Sequence, residues 1–536
     1  MRSPNRKTPA GADRLRVLAL LALLVVASCA REPQGVPLAP APAAPTVSGG
    51  ALTILPRNPR YFAHAASGRA VYLTGSHTWN NFQDWGTSDP PPAFDFPGYL
   101  DFLVRHGHNF IRLYVWEQAA WFPGTPEKVV IAPLPYLRTG PGTALDGKPR
   151  FDLERFDPAY FDRLRRRVES AAARGLYVSV MLFDGWSLEL KGSKVGNPWR
   201  GHPFNGANNI DGIDGDLDGG GEGKEVHTLR NPAVTALQKA YIRQVVETLA
   251  GFDNVLWEIS NESDSASVAW QYEMIRTVKA VESEIGRPHP VGMTAMWPEP
   301  ASKNAPLFDG PADWVAPHGN AAERYRDDPP AAEGRKVVFA DTDHLWGIGG
   351  SARWVWKSFA RGLNPLFMDP YVTAIRRNLP AWPRAAGGRT GATPAPEWED
   401  VRRAMGYARA VADRVDLEAM RPIPGLASTG YCLAQPGAEY LVYSPAPIVR
   451  WRRLLASVAP GAAERVSVDL SAAPGSFEAE WIDAARGRVI PAPPVAGGGR
   501  VELRPPFAGD ALLHLKAPAA ASGAAARRNG EPGETR

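Results

Sequence analysis

At 536 residues the chain exceeds one ordinary domain and points to two to four, or to one large barrel with an appendage. Hydrophobic residues at 44% and aromatics at 10% supply a sizeable core. A net charge of only +4, with no basic stripe interleaved with aromatics, argues against nucleic-acid binding. The 17 Trp are many for this length, and flat apolar rings with one polar handle suit sugar faces as well as cores.

The N-terminus reads as an export signal. Arg2, Arg6, Lys7, Arg14 and Arg16 form a basic region, and residues 17–26 an apolar run too short to span a bilayer of roughly 30 Å. That run ends in Val26-Ala27-Ser28-Cys29, which resembles the bacterial lipobox. The resemblance implies lipidation of Cys29 and a lipid anchor in the membrane; an ordinary signal peptide over 1–29 is the alternative. Ala30 rather than Asp after the Cys implies, by likeness to Gram-negative lipoproteins, the outer membrane. The only other cysteine is Cys432, so a lipidated chain has no internal disulfide. Residues 30–50, rich in Pro and Ala, read as a disordered tether.

From residue 51 to 420, strand-like apolar runs alternate with longer helical patterns, which implies parallel strands joined by crossover helices. The expected strands are 71–74, 110–115, 177–183, 255–259, 290–294, 314–317, 337–340 and 365–368, the first preceded by a hairpin. Helical periodicity fills 158–174, 232–251, 266–285 and 397–413, and Asn231-Pro232 reads as a helix start. Eight strand-then-helix units predict a (β/α)8 barrel with insertions. A doubly wound sheet is the competing architecture, but no Gly-rich nucleotide loop follows any strand.

In such a barrel, catalytic groups lie where the strands leave its C-terminal face. Those positions here carry His77, Trp79, Trp116, Glu117, Asp184 and Trp186 in the first half. In the second half they carry Asn261, Glu262, His318, Asp341, Asp343, His344 and Trp346. Carboxylates, His and Trp are concentrated on one face. The tryptophans are candidate sugar platforms, and each has a packing role as its alternative.

Glycoside cleavage needs one carboxyl group to protonate the leaving oxygen and another to attack or to activate water. Asn261-Glu262 after the fourth strand, with Trp257 four residues before Asn261, resembles the Asn-Glu motif of the clan A, cellulase-like glycoside hydrolases. The resemblance implies that Glu262 is the acid/base and that Asn261 contacts the sugar 2-hydroxyl. In that clan a Glu ending the seventh strand is the nucleophile, whereas this chain has Ala340-Asp341-Thr342-Asp343-His344. Asp341 falls at the expected place and is preferred. Asp343 is the alternative, with the same side-chain direction if the strand continues. Facing carboxylates imply a separation of about 5–5.5 Å and retention of configuration. Arg112 resembles the clan's second-strand Arg that supports the nucleophile, and His318 the sixth-strand aromatic or His; a buried ion pair and a core His are their alternatives. No cofactor is expected for catalysis.

The acidic insertion after the third strand carries Asp214, Asp216 and Asp218 at loop positions 1, 3 and 5, Gly219 at 6 and Glu225 at 12. That spacing matches a Ca2+ loop. Gly221 at position 8 and the lack of a flanking helix pair argue against an EF-hand, which leaves a structural Ca2+ in a long loop or a flexible Gly/Asp segment.

After Arg421-Pro422 short alternating runs at 439–443, 465–470, 477–482, 500–503 and 511–515 predict a small β-sandwich over 421–517, followed by a disordered tail over 518–536. The run from Val468-Asp469-Leu470 through Trp481-Ile482-Asp483 to Leu512-Leu513-His514-Leu515 resembles a module family named for collagen binding, which follows glycosidase-like barrels. Three functions stand against one another: a retaining glycosidase acting on polysaccharide or oligosaccharide, a non-catalytic glycan-binding surface lipoprotein, and an adhesin acting through the C-terminal module. Oligomeric state is left open.

Overall fold

The computed structural model describes residues 35–38, 50–300, 303–319, 323–371, 394–447 and 465–518. The export segment with Cys29, most of the tether and the tail from 519 lie outside the described residues.

Eight parallel strands close into a barrel: β1 (Gly75–His77), β2 (Phe110–Leu113), β3 (Tyr177–Asp184), β4 (Val255–Asn261), β5 (Val291–Thr294), β6 (Trp314–Ala316), β7 (Val337–Asp341) and β8 (Asn364–Met368). Seven of the eight lie where the apolar runs predict. The first does not. Ala70–Val71 pairs antiparallel with Phe62–His64, which pairs with Leu52–Ile54, and this small sheet plugs the barrel floor. The chain enters the barrel only at Gly75. The apolar signal at 71–74 comes from Val71 and Leu73, which pack with Leu52, Phe62, Phe110 and Phe339 in the floor cluster.

The period-2 alternation of the strands sorts the interior into layers. Phe110 and Phe339 stack with ring centroids 4.7 Å apart in the floor. Two residues further along the same faces stand Arg112 and Asp341, and on β4 the inward sequence is Leu256 then Glu258. Trp257 between those two points outward and donates its indole N–H to Glu282 at 2.6 Å. The lower layer is therefore apolar and the upper one charged.

Helices cover the barrel: α1 (Phe96–Arg105), α2 (Pro158–Ala172), α3 (Pro232–Leu249), α4 (Val268–Ile285), α5 (Ala305–Asp309), α6 (Thr342–Trp346), α7 (Ala352–Ala360) and α8 (Glu399–Ala412). Asn231 caps α3 as its sequence implies, its Oδ1 accepting from Ala233 and Val234, with Pro232 in the first turn where no N–H is needed. Val234, Tyr241, Val245 and Leu249 then form the buried stripe. Among the described residues no helix is long and apolar enough to cross a membrane.

The C-terminal part is all-β. A seven-stranded antiparallel sheet is covered on one face by the hairpin-like pair Val466–Asp469 and Arg500–Leu503 around Tyr440, Phe477 and Trp481. Residues 35–38, within the stretch read as a disordered tether, instead contribute its edge: Val36–Pro37 pairs with Arg488 and Val489, and Leu38 is buried. Cys432 is a buried free thiol in this sheet.

Candidate active site

A cavity of about 390 Å³ opens at the C-terminal face of the barrel, lined by Trp79, Trp116, Trp186, Trp346, Glu262 and Asp343 among others. Glu262 follows the last residue of β4 with φ of 43°, a left-handed conformation that costs a non-Gly residue about 1–3 kcal/mol. Gly185, just after β3, makes this turn possible: a Cβ there would stand 2.4 Å from the Glu262 carbonyl oxygen. The turn leaves the Glu262 carboxylate in the cavity wall, where Trp186 Nε1–H donates to Oε2 at 2.5 Å. Burial, and next the negative charge of Asp343, push the Glu262 carboxyl up to about 8.

The end of β7 corrects the expectation of a continuing strand. Asp341 accepts a hydrogen bond from the backbone N–H of Asp343 at 2.9 Å and so caps α6, which starts at Thr342. The two carboxylates therefore do not share one direction. Asp341 stays inside the barrel, 1% exposed, 3.1 Å from His77 Nε2 and outside the cavity lining. Burial alone would raise its pKa, but the groups around it, His77 foremost, together outweigh that and hold its carboxyl below the usual carboxylate range. Asp343 is carried by the helical turn into the cavity wall, where it accepts from Arg112 Nη1 at 2.9 Å and from Trp79 Nε1 at 3.3 Å. Its own carboxyl is raised by burial, with Arg112 opposing.

Arg112 is the hub. Its Nε and Nη2 grip Glu258 at 2.8 and 2.5 Å, Nη2 also reaches Asn261 Oδ1 at 2.7 Å, and Nη1 takes Asp343. Asn261 has no free hydrogen-bonding capacity facing the cavity. Its Oδ1 also accepts from His344 Nε2 at 3.1 Å, and its Nδ2 donates to Tyr114 Oη and Asp184 Oδ1. Because that oxygen only accepts, His344 must carry its proton on Nε2, which leaves Nδ1, without a partner among the described residues, as a bare acceptor. Burial lowers His344 to about 3, so the ring is neutral at ordinary pH.

The remaining predicted residues divide. Trp116 lines the cavity and donates to the Trp79 carbonyl at 2.7 Å, and Trp346 packs edge-on against Trp354. His318 lines it too, stacked on Trp297 with centroids 5.7 Å apart, its pKa lowered by burial. Glu117 and Asp184 do not line it. Glu117 accepts from His227 Nε2 at 3.0 Å and from the Asp184 N–H at 2.8 Å. Burial raises its carboxyl, but His227 and His202 together hold it near about 2. Asp184, fully buried and pushed up to about 7, accepts from Ser187 and Tyr114. His77 is likewise enclosed beneath the cavity.

The sequence reading missed Tyr114, Trp297 and Arg326 in the lining, and Glu258 beneath it. Glu258 carried a signal: it is a charge at an inward position of the otherwise apolar run Val255-Leu256-Trp257-Glu258-Ile259. In the acidic insertion, Asp216, Asp218 and Glu225 each offer an oxygen within 4.8 Å of the others. Asp214 does not join them; its Oδ1 accepts from the Asp216 N–H instead.

The fold and site define a (β/α)8 barrel with two carboxylates, from the ends of β4 and β7, in the wall of an aromatic cavity. A family model described as a domain of unknown function, DUF6298, matches residues 129–296. No curated protein matches the chain. Among solved structures, one described as a glycoside hydrolase aligns with a TM-score of 0.55 at 14% identity, covering 88% of this chain and 98% of the other. A glycoside hydrolase family 5 structure from Bacteroides vulgatus ATCC 8482 aligns with a TM-score of 0.56 at 12% identity, covering 88% and 95%. At such identities the likeness is one of fold.

Proposed function

We propose that the chain is a retaining glycoside hydrolase acting on polysaccharide or oligosaccharide, with Glu262 as acid/base and Asp343 as nucleophile. One observation carries the reading: Glu262 and Asp343 face one tryptophan-lined cavity, and their mutual charge with burial holds the proton on Glu262. Asp343 takes hydrogen bonds from Arg112 and Trp79, while Glu262 takes one from Trp186, so the shared proton sits on Glu262.

The protonated Glu262 gives its proton to the glycosidic oxygen as the bond from that oxygen to the anomeric carbon breaks. The Asp343 carboxylate attacks the same carbon from the opposite face and forms a glycosyl ester. Water then gives a proton to the Glu262 carboxylate and its oxygen to the anomeric carbon, which frees Asp343. The shorter Asp side chain reaches the sugar because α6 lifts it out of the barrel, whereas Asp341 is left to cap that turn and hold His77.

Likeness of fold to two glycoside hydrolases supports this reading, and the lipobox-like Val26-Ala27-Ser28-Cys29 supports a lipid-anchored enzyme at the outer membrane. The test compares Glu262→Gln, Asp343→Asn and Asp341→Asn on a glycan panel, with proton NMR of the first-formed anomer. Glu262→Gln and Asp343→Asn each lose about 10²–10⁴-fold or more, and Asp341→Asn loses less. Inversion of the anomer refutes the pairing. Equal inertness of wild type and variants favours a glycan-binding lipoprotein.

A further inference from the structure

The excursion between β3 and α3 holds a second cluster, away from the cavity. Asp216, Asp218 and Glu225 converge within 4.8 Å of one another. Glu225 is the buried member, its side chain 6% exposed; Oε1 meets Arg230 Nη1 at 3.2 Å, and Oε2 has no partner among the described residues. Asp216 likewise has one oxygen, Oδ1, with no partner among the described residues, while its Oδ2 accepts from the Gly221 N–H at 2.7 Å. Asp218 is exposed and spends Oδ1 on the Gly220 N–H at 2.8 Å. A buried carboxylate oxygen without a donor costs free energy, and here two of them belong to one acidic cluster.

We propose that Asp216, Asp218 and Glu225 bind a divalent cation, Ca2+, which fixes the turn that steadies the cavity wall. The donor set is all oxygen, with no His or Cys, which selects a hard cation over zinc. The Gly-rich loop between Asp218 and Glu225 has the pliancy that Ca2+, with its six to eight oxygens, tolerates better than Mg2+. Three carboxylates fall short of that number, so backbone carbonyls or water would have to supply the rest.

What the ion would fix is legible in the contacts. Glu225 sits in the short helical turn Lys224–His227, preceded by Gly223, whose backbone packs so closely on Trp199 that a Cβ would lie 2.3 Å from the ring. Two residues after Glu225, His227 stacks on Trp270 with centroids 4.3 Å apart. Its Nε2 meets Glu117, and its Nδ1 lies 2.8 Å from Oγ of Ser263, the residue that follows Glu262. The cation therefore holds one end of a chain, Glu225 to His227 to Ser263, that ends beside the left-handed Glu262.

Terbium luminescence tests the site on the full chain without reference to activity. Trp199 lies against the loop, so bound Tb3+ should emit when tryptophan is excited, and Ca2+ should displace it with loss of emission. Ca2+ should also raise Tm by several degrees, increasing with the logarithm of its concentration, and EDTA should reverse this. Asp218→Asn, at an exposed position where folding is not at stake, should weaken Ca2+ binding at least tenfold; Glu225→Gln should abolish it. No sensitised emission and no Ca2+-dependent shift in Tm would overturn the site. Equal shifts with Mg2+, or full binding by Asp218→Asn, would overturn the Ca2+ assignment. Glycosidase activity can survive every one of these failures.

Discussion

The indole N–H of Trp186 donates to Glu262 Oε2 at 2.5 Å, so a residue two places past β3 tunes the carboxyl after β4. A donor to a carboxylate stabilises its charged form, so Trp186 pulls the Glu262 pKa down against the burial and the Asp343 charge that raise it. With Glu262 near 8, activity that needs the protonated acid should fall as pH rises through about 8. Trp186→Phe removes the donor and should move that alkaline limb upward. A pH profile of kcat/KM decides it; a limb that stays or moves down shows that another group controls it.

The same shift has a stability consequence with a definite sign. The folded state keeps a proton on Glu262 up to about 8, while the unfolded chain releases it near 4.5, so stability from this group is lost as pH rises through that window. Glu262→Gln, which has no proton to lose, should flatten the decline of Tm between those pH values. An unchanged slope in scanning calorimetry would assign the decline to other groups.

Arg112 supports a third prediction. It is 1% exposed and pairs with Glu258 and Asp343 at once; burial lowers its pKa, but the charges of Glu258 first, then Asp341 and Asp343, raise it well above the usual value. Arg112→Met leaves two uncompensated carboxylates in the barrel and should cost about 3–5 kcal/mol, measured by urea unfolding. The double variant Arg112→Met with Glu258→Gln should recover part of that loss, since one orphaned charge is gone. A strictly additive double variant would show that the two residues are not coupled.

Which parts of this site the sequence exposes follows from how local their causes are. Glu262 is readable because it ends an apolar run of strand length that is fourth in order, and the α3 cap because Asn231-Pro232 acts within one turn. The fate of Asp341 and Asp343 is not readable. Whether β7 continues or yields to a helical turn depends on one carboxylate accepting from an N–H two residues on, and no periodicity marks that choice. The strand Arg488–Ala496 is hidden for a different reason. Pro491, Pro493 and Pro494 suppress the strand pattern, yet they are tolerated because the partner strand at the sheet edge, Val36–Pro37, reaches only Arg488 and Val489. Glu117 and Asp184 show the limit of arguing from strand ends: both sit at the right height, but they turn into the wall and hold it together.

A prediction about location rests on the sequence alone. If Cys29 carries the lipid, Cys29→Ala should abolish incorporation of labelled fatty acid and move the protein from the membrane fraction to the soluble one. Labelling that persists in the variant would return the N-terminus to an ordinary signal peptide.

The last prediction concerns the C-terminal sheet. Tyr443, Ile482, Ala484 and Leu512 belong to the same continuous core as the barrel and its helices, not to the core between the two β-layers. On α7, Trp356 is 1% exposed and donates to the Ala484 carbonyl at 3.2 Å, while Arg353 pairs with Asp510 at 2.8 Å. Arg414, just past α8, pairs with Glu480 at 2.7 Å. The sheet therefore completes the outer face of α7 and α8, and a barrel ending at residue 420 would expose apolar surface that water does not otherwise reach. Trp356→Ala should cost about 3–5 kcal/mol by the loss of a buried aromatic and the cavity it leaves. Calorimetry should show one cooperative transition in the wild-type chain, and the barrel truncated at 420 should be insoluble or melt far lower. Two independent transitions in the wild type, with a soluble barrel fragment of unchanged Tm, would make the sheet a separate module free to serve a binding role of its own.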